Sequence, residues 1–118
     1  METINFPYIL SEQINDQQAH FDFTLPSELI YFQGHFDSLP LLPGVVQIHW
    51  VMDLAKKLSD NLIFGGMSRV KFMRPIRPEQ NLSLELTLTL GSNLLSFRYY
   101  DESTTYSSGR INTNGQHV

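Results

Sequence analysis

Val45-Val46-Gln47-Ile48-His49-Trp50-Val51-Met52-Asp53-Leu54-Ala55-Lys56-Lys57-Leu58 contains no helix breaker and begins directly after Pro43-Gly44. Nine of its side chains are apolar, and only Gln47, His49, Asp53, Lys56 and Lys57 interrupt them. A helix that is apolar on most faces needs other structure around it, and the residues that follow can provide a sheet. Leu82, Leu84, Leu86, Leu88 and Leu90 alternate without a miss with Ser83, Glu85, Thr87 and Thr89, the period of a half-buried strand. Gly91-Ser92-Asn93 then makes a turn, and residues 94–100 return as the second arm of a hairpin. Asp101-Glu102-Ser103 turns again before a last strand over about 104–111, with 112–118 expected to fray.

Upstream, residues 17–25 place Ala19, Phe21, Phe23 and Leu25 on one face of a strand, with His20 on the solvent-facing phase. Pro26-Ser27-Glu28 reads as the start of a helical turn, and residues 31–43 as a long loop. Residues 63–74 read as a strand with a bend at Gly65-Gly66. One long helix against an antiparallel sheet of five or more strands is an α+β layout, and residues 1–118 form one domain. The five-leucine strand, on an open sheet, predicts at least a dimer.

The chain has 118 residues, 42% hydrophobic and 17% charged, enough to bury a core. No run approaches the roughly 20 apolar residues of a membrane helix. The opening residues lack a secretion signal, so the expected compartment is the cytoplasm. With no cysteine, disulfides, zinc–thiolate sites and thiol nucleophiles are excluded. The four histidines have no spaced ligand partners, so no metal site is expected. A net charge of −4 argues against nucleic-acid binding. Within it, Lys56, Lys57, Arg69, Lys71, Arg74 and Arg77 face only Asp60 across residues 56–77. That stripe is either a solvated strand face or a seat for an anionic partner.

Gly34-His35-Phe36-Asp37-Ser38-Leu39-Pro40-Leu41-Leu42-Pro43-Gly44-Val45 feeds a histidine-bearing loop into the start of the helix. The unpaired N–H groups of Gly44 and Val45 at that terminus can polarise a carbonyl. A nearby histidine can remove a proton beside a thioester or ketone.

This stretch resembles the signature G-H-F-P-G-x-P-x-x-P-G-V/C-L-x-x-E/D of the hot-dog-fold 3-hydroxyacyl-acyl-carrier-protein dehydratases. Gly34, His35, Phe36, Pro40, Pro43, Gly44 and Val45 fall in register. Val70-Lys71-Phe72-Met73-Arg74-Pro75-Ile76-Arg77-Pro78 is similar to the family's R-F-R-R-P-V-x-P-G-D strand. Leu41-Leu42-Pro43-Gly44-Val45 and Ser107-Ser108-Gly109-Arg110-Ile111 also resemble the small dehydratase-like proteins of aryl polyene gene clusters.

The resemblance implies a hot-dog fold, an antiparallel sheet wrapped round one long central helix. It implies dehydration of a 3-hydroxyacyl thioester in fatty acid or aryl polyene biosynthesis, a hydro-lyase reaction without a cofactor. By position, His35 takes the C2 proton and the Gly44 N–H binds the thioester oxygen. Phe36, Pro43, Val45, Arg74 and Arg77 contact substrate. The partners are an acyl carrier protein bearing a phosphopantetheine thioester and a second subunit, identical or related. Arg69, Lys71, Arg74 and Arg77 are the candidate docking cations for the carrier.

The family acid, a Glu or Asp on the central helix of the other subunit, fourteen positions after the histidine, is replaced by His49. Asp53 lies one turn on at i+4, where related enzymes carry a glutamine, so acid and partner can have exchanged places. Three readings stay open: a working His49–Asp53 pair, altered chemistry, and lost catalysis. In the loop, Asp37-Ser38 stands where the family has Pro-Gly. A thioesterase on the same fold and a non-catalytic acyl-binding or heterodimer partner are the rival functions.

Overall fold

The computed structural model describes residues 3–33 and 40–114. Six strands form one antiparallel sheet: β1 Tyr8–Ile14, β2 Gln18–Thr24, β3 Ile63–Phe72, β4 Asn81–Thr89, β5 Leu94–Tyr100 and β6 Thr105–Asn114. Their order across the sheet is β1-β2-β4-β5-β6-β3, so β1 and β3 are the edges. Among the described residues a single α-helix, α1 (Gly44–Ala55), lies against one face. This is the expected α+β hot-dog arrangement.

Alternation decides what each strand buries. Leu82, Leu84, Leu86 and Leu88 of β4 turn inward, as do Phe21 and Phe23 of β2 and Leu95, Phe97 and Tyr99 of β5. From the helix they meet Ile48, Val51, Leu54 and Trp50, which is 1% exposed. Phe6, Phe23 and Tyr31 all set ring edges against Trp50, and its Nε1–H donates to the Asn5 carbonyl at 3.1 Å. The indole thus has an apolar surround for its rings and an acceptor for its one polar group.

Several expectations need correction. Strand β1 was not anticipated: nearly all its residues are exposed, so hydrophobic alternation leaves no trace in them. The helix ends at Ala55, and residues 56–58 continue as turns. A short 3-10 turn, η1 (Ile30–Phe32), sits where a loop was expected. The last strand runs on to Asn114 instead of fraying after Ile111. Its end is held between two neighbours, with Leu94 opposite Asn112 and Phe64 opposite Thr113. The Thr113 N–H and hydroxyl also both donate to the Asn93 carbonyl, at 2.8 and 2.7 Å.

The helix is not enclosed on all sides. Val45 is 77% exposed, and His49 and Lys56 are exposed on the same stripe. The leucine strand, conversely, is covered by the chain's own helix, with only Leu90 exposed. Apolar side chains stay exposed on both edge strands: Tyr8, Leu10 and Ile14 on β1, and Ile63, Phe64, Met67 and Phe72 on β3, with Met73 just beyond it.

Candidate functional site

Proline 43 sets the start of the helix. Its φ of −62° and ψ of 146° are extended, and its carbonyl accepts the N–H groups of Val46 and Gln47 at 3.1 and 3.2 Å. Among the described residues, no acceptor meets the N–H of Gly44 or Val45. These N–H groups lie at the positive end of the helix dipole, where a carbonyl oxygen would gain most from it. A Cβ at Gly44 would lie 2.7 Å from Cζ of Phe72, so a larger residue there would make that half-exposed ring shift. Beside this terminus opens a cavity of about 380 Å³, walled by Leu41, Leu42, Phe72 and Met73, with Gln47 and Arg74 also at its lining.

Gln47 anchors that end of the helix, and sequence reasoning passed over it. Its side chain is buried; Nε2 donates to the Leu42 carbonyl at 3.3 Å, and Oε1 accepts from Ser107 Oγ at 2.7 Å. The Tyr99 hydroxyl donates to the Gln47 carbonyl at 2.6 Å, and burial pushes that phenol well above its ordinary pKa. These bonds tie the segment before the helix to strands β5 and β6. The available signal was an amide on the inward face of an otherwise apolar helix, a group that must find partners when buried.

His49 and Asp53 do come together. Nε2 of His49 stands 3.3 Å from Oδ2 of Asp53, one helical turn away, and Lys56 Nζ lies 3.8 Å from the other carboxylate oxygen. The side chains are 68% and 37% exposed, so solvent screens the pair and it adds little to stability. Val45 shares this open stripe, four residues before His49.

The remaining candidates are scattered. His35 and Phe36 lie outside the described residues, as does Asp37. Pro43 is exposed beside the helix start. Arg74 reaches the cavity mouth, whereas Arg77 is exposed and its N–H is held by Gln80 Oε1 at 2.5 Å. The basic stripe is not one surface. Lys57 pairs with Glu12 at 3.1 Å, Lys56 approaches Asp53, and Arg69 and Lys71 line a separate hollow on the sheet. His20 is half-buried, not solvent-facing: its ring lies between Asp22 at 3.0 Å and the Tyr100 hydroxyl at 3.2 Å. Ser83 is the main reason the Asp22 carboxyl is held below its ordinary value.

Comparison with known proteins gives a consistent picture. A family model for ApeI-like proteins, described as ApeI dehydratase, matches residues 11–110. The dehydratase heterocomplex ApeI:P from Xenorhabdus doucetiae contains a chain similar at 36% identity and a TM-score of 0.85, covering 92% of this chain and 97% of that one. The 3-hydroxyacyl-[acyl-carrier-protein] dehydratase FabZ of Natranaerobius thermophilus is 39% identical over 67 residues, 50% of this chain and 47% of the relative. Its counterpart in Syntrophobacter fumaroxidans is 30% identical over 95 residues, 70% and 65% of the respective lengths. The matches to these curated relatives therefore span about half to two thirds of their length.

Proposed function

Because this chain belongs to the ApeI-like dehydratase family, we propose that it removes water from a 3-hydroxyacyl thioester presented by an acyl carrier protein, in fatty acid or aryl polyene synthesis. The observation that carries the reading is the helix α1 itself. Its open N-terminus borders an apolar cavity, and its exposed stripe bears a histidine–carboxylate pair.

In this mechanism the imidazole of His35 takes the C2 proton, and the thioester oxygen gains enolate character against the Gly44 N–H. The C3–O bond then breaks as His49, in its cationic form, gives a proton to the leaving hydroxyl. Water departs, and solvent exchange returns His35 and His49 to their starting states. Asp53, one turn away, orients the His49 ring. Phe36, Pro43 and Val45 contact the acyl chain, while Arg74 and Arg77 attract the acidic carrier.

An exposed His49 is poorly placed for this work in an isolated subunit. A second subunit supplies the missing cover in our reading, by pairing its own β3 against the open edge of this one and burying Phe64, Met67 and Val45. That subunit is a related chain or a second copy. The compartment we assign is the cytoplasm, where carriers and their thioesters are handled; no helix among the described residues is long and apolar enough to cross a membrane.

The test is turnover of carrier-bound 3-hydroxyacyl substrate by His35→Ala, His49→Ala and Asp53→Asn variants, with the partner subunit present. His35→Ala and His49→Ala should each lower kcat at least a hundredfold, and Asp53→Asn about tenfold, within the span of general acid–base effects. Undiminished turnover by His49→Ala would remove it from the mechanism.

A further inference from the structure

The motif Ser107-Ser108-Gly109-Arg110-Ile111 is only partly explained by the helix. Ser107 and Ile111 point inward, to Gln47 and the core. Ser108 and Arg110 face the other side of the sheet, away from the helix. There they border a hollow of about 500 Å³ that crosses β4, β5, β6 and β3. Two cross-strand rows build it. One runs Glu85, Arg98, Ser108, Lys71; the other runs Thr87, Ser96, Arg110, Ser68. Three strand spacings make the rows about 14 Å long, and they lie about 7 Å apart.

Four cations, Arg69, Lys71, Arg98 and Arg110, line this hollow against the single carboxylate of Glu85, in a chain whose net charge is −4. Like charges this close repel one another unless an anion lies between them. Contacts at the edge of the hollow order one of these cations. The Arg98 guanidinium carbon lies 3.9 Å from the centre of the Tyr100 ring, which holds the fork flat. Its Nη1 reaches Thr105 Oγ1 at 3.5 Å, and its Nη2 reaches Glu85 at 4.0 Å.

The fourth cation, Arg69, sits in a distortion of β3. Ser68 stands opposite Arg110 and Lys71 opposite Ser108, so Arg69 and Val70 together face Gly109. Arg69 takes a φ of 54° in this bulge, a left-handed conformation that costs a non-glycine residue free energy. Gly109 makes room for it: a Cβ there would lie 2.7 Å from Val70 Cγ2 and 3.0 Å from Val70 Cα. Arg69 and Lys71, two residues apart, line the same hollow beside this bulge and glycine.

We propose that this hollow on the outer face of the sheet binds a small molecule carrying two linked phosphates, at a site separate from the helix terminus. Planar guanidinium forks match phosphate oxygens in pairs, and Ser96, Ser108 and Thr87 supply hydroxyl donors between them. A concave site of this size suits a compact ligand, and four cations call for more than one negative charge.

Titration of the full chain with inorganic pyrophosphate, against sulfate at matched ionic strength, tests the site. The wild type should bind one pyrophosphate with a submillimolar Kd and rise in Tm on saturation. Arg98→Gln and Arg110→Gln should each weaken binding at least tenfold, and Glu85→Gln should tighten it. Lys57→Gln, on the other side of the molecule, should leave it unchanged. ADP binding more tightly than pyrophosphate identifies a nucleotide-like ligand; equal affinity identifies the phosphates alone, and both support the site. Absence of saturable binding, or pyrophosphate affinity insensitive to Arg110→Gln and Glu85→Gln, overturns it. So does capture of polyglutamate that pyrophosphate cannot displace, which assigns the hollow to an acidic protein chain. Should Arg110→Gln fail to fold, the opposite sign predicted for Glu85→Gln still decides the matter.

Discussion

Tyr99 shows how one buried hydroxyl can hold a functional terminus in place. Its bond to the Gln47 carbonyl, together with Ser107 on the Gln47 side chain, fixes the first turn of the helix relative to the sheet. Tyr99→Phe removes a single buried hydrogen bond and should cost about 1 kcal/mol by denaturant titration at pH 7. The alkaline limb gives a second readout. A phenol raised on folding contributes stability that is complete below the ordinary tyrosine value of about 10 and falls as pH rises beyond it, because the unfolded chain ionises first. Tyr100, raised chiefly by burial, and Tyr106, raised chiefly by its bond to Asp101, act in the same direction. The loss of stability above pH 10 should therefore be shallower in Tyr99→Phe without disappearing. An unchanged limb would mean that this phenol is not buried in solution.

At the scale of elements, the alternating leucines divide cleanly between core and surface. Leu86 is fully buried against the helix, whereas Leu90, past the end of β4, is 64% exposed. Leu86→Ala should cost about 2–5 kcal/mol and Leu90→Ala less than about 0.5, measured as shifts in denaturant midpoint. Equal costs would place the helix elsewhere. This strand was legible because period-two patterning is strong wherever one face is buried. β1 was not legible, since an exposed edge strand such as Tyr8–Ile14 needs no apolar alternation. The helix start was readable from Pro43-Gly44 and the pairing of His49 with Asp53 from their spacing. The bonds of Gln47 to Leu42 and Ser107 were not, because their partners are separated in sequence and meet only through the sheet. The outward stripe of the helix was not legible either, because composition does not say which side is left facing outward.

For the whole molecule, both edge strands carry exposed apolar side chains, and β3 is the one we assign to the contact with a second subunit. Its free edge carries half-exposed Phe64 and Met67, and further along Phe72 and then Met73. Exposed apolar edges of this kind pair or aggregate unless covered. Replacing both Phe64 and Met67 with lysine should convert an assembly to single subunits in light scattering, with helix content by circular dichroism retained. An assembly that survives the double substitution would move the interface to another surface.

The most direct test of the account is a single reaction of the wild-type protein, with the second subunit proposed above, on a 3-hydroxyacyl thioester bound to acyl carrier protein. Two products are followed together: the absorbance of the conjugated enoyl thioester and the release of free thiol. The account predicts enoyl absorbance rising with enzyme concentration and no thiol release above background. Thiol release without enoyl product would make this chain a thioesterase, and silence in both channels despite carrier binding would make it a non-catalytic subunit.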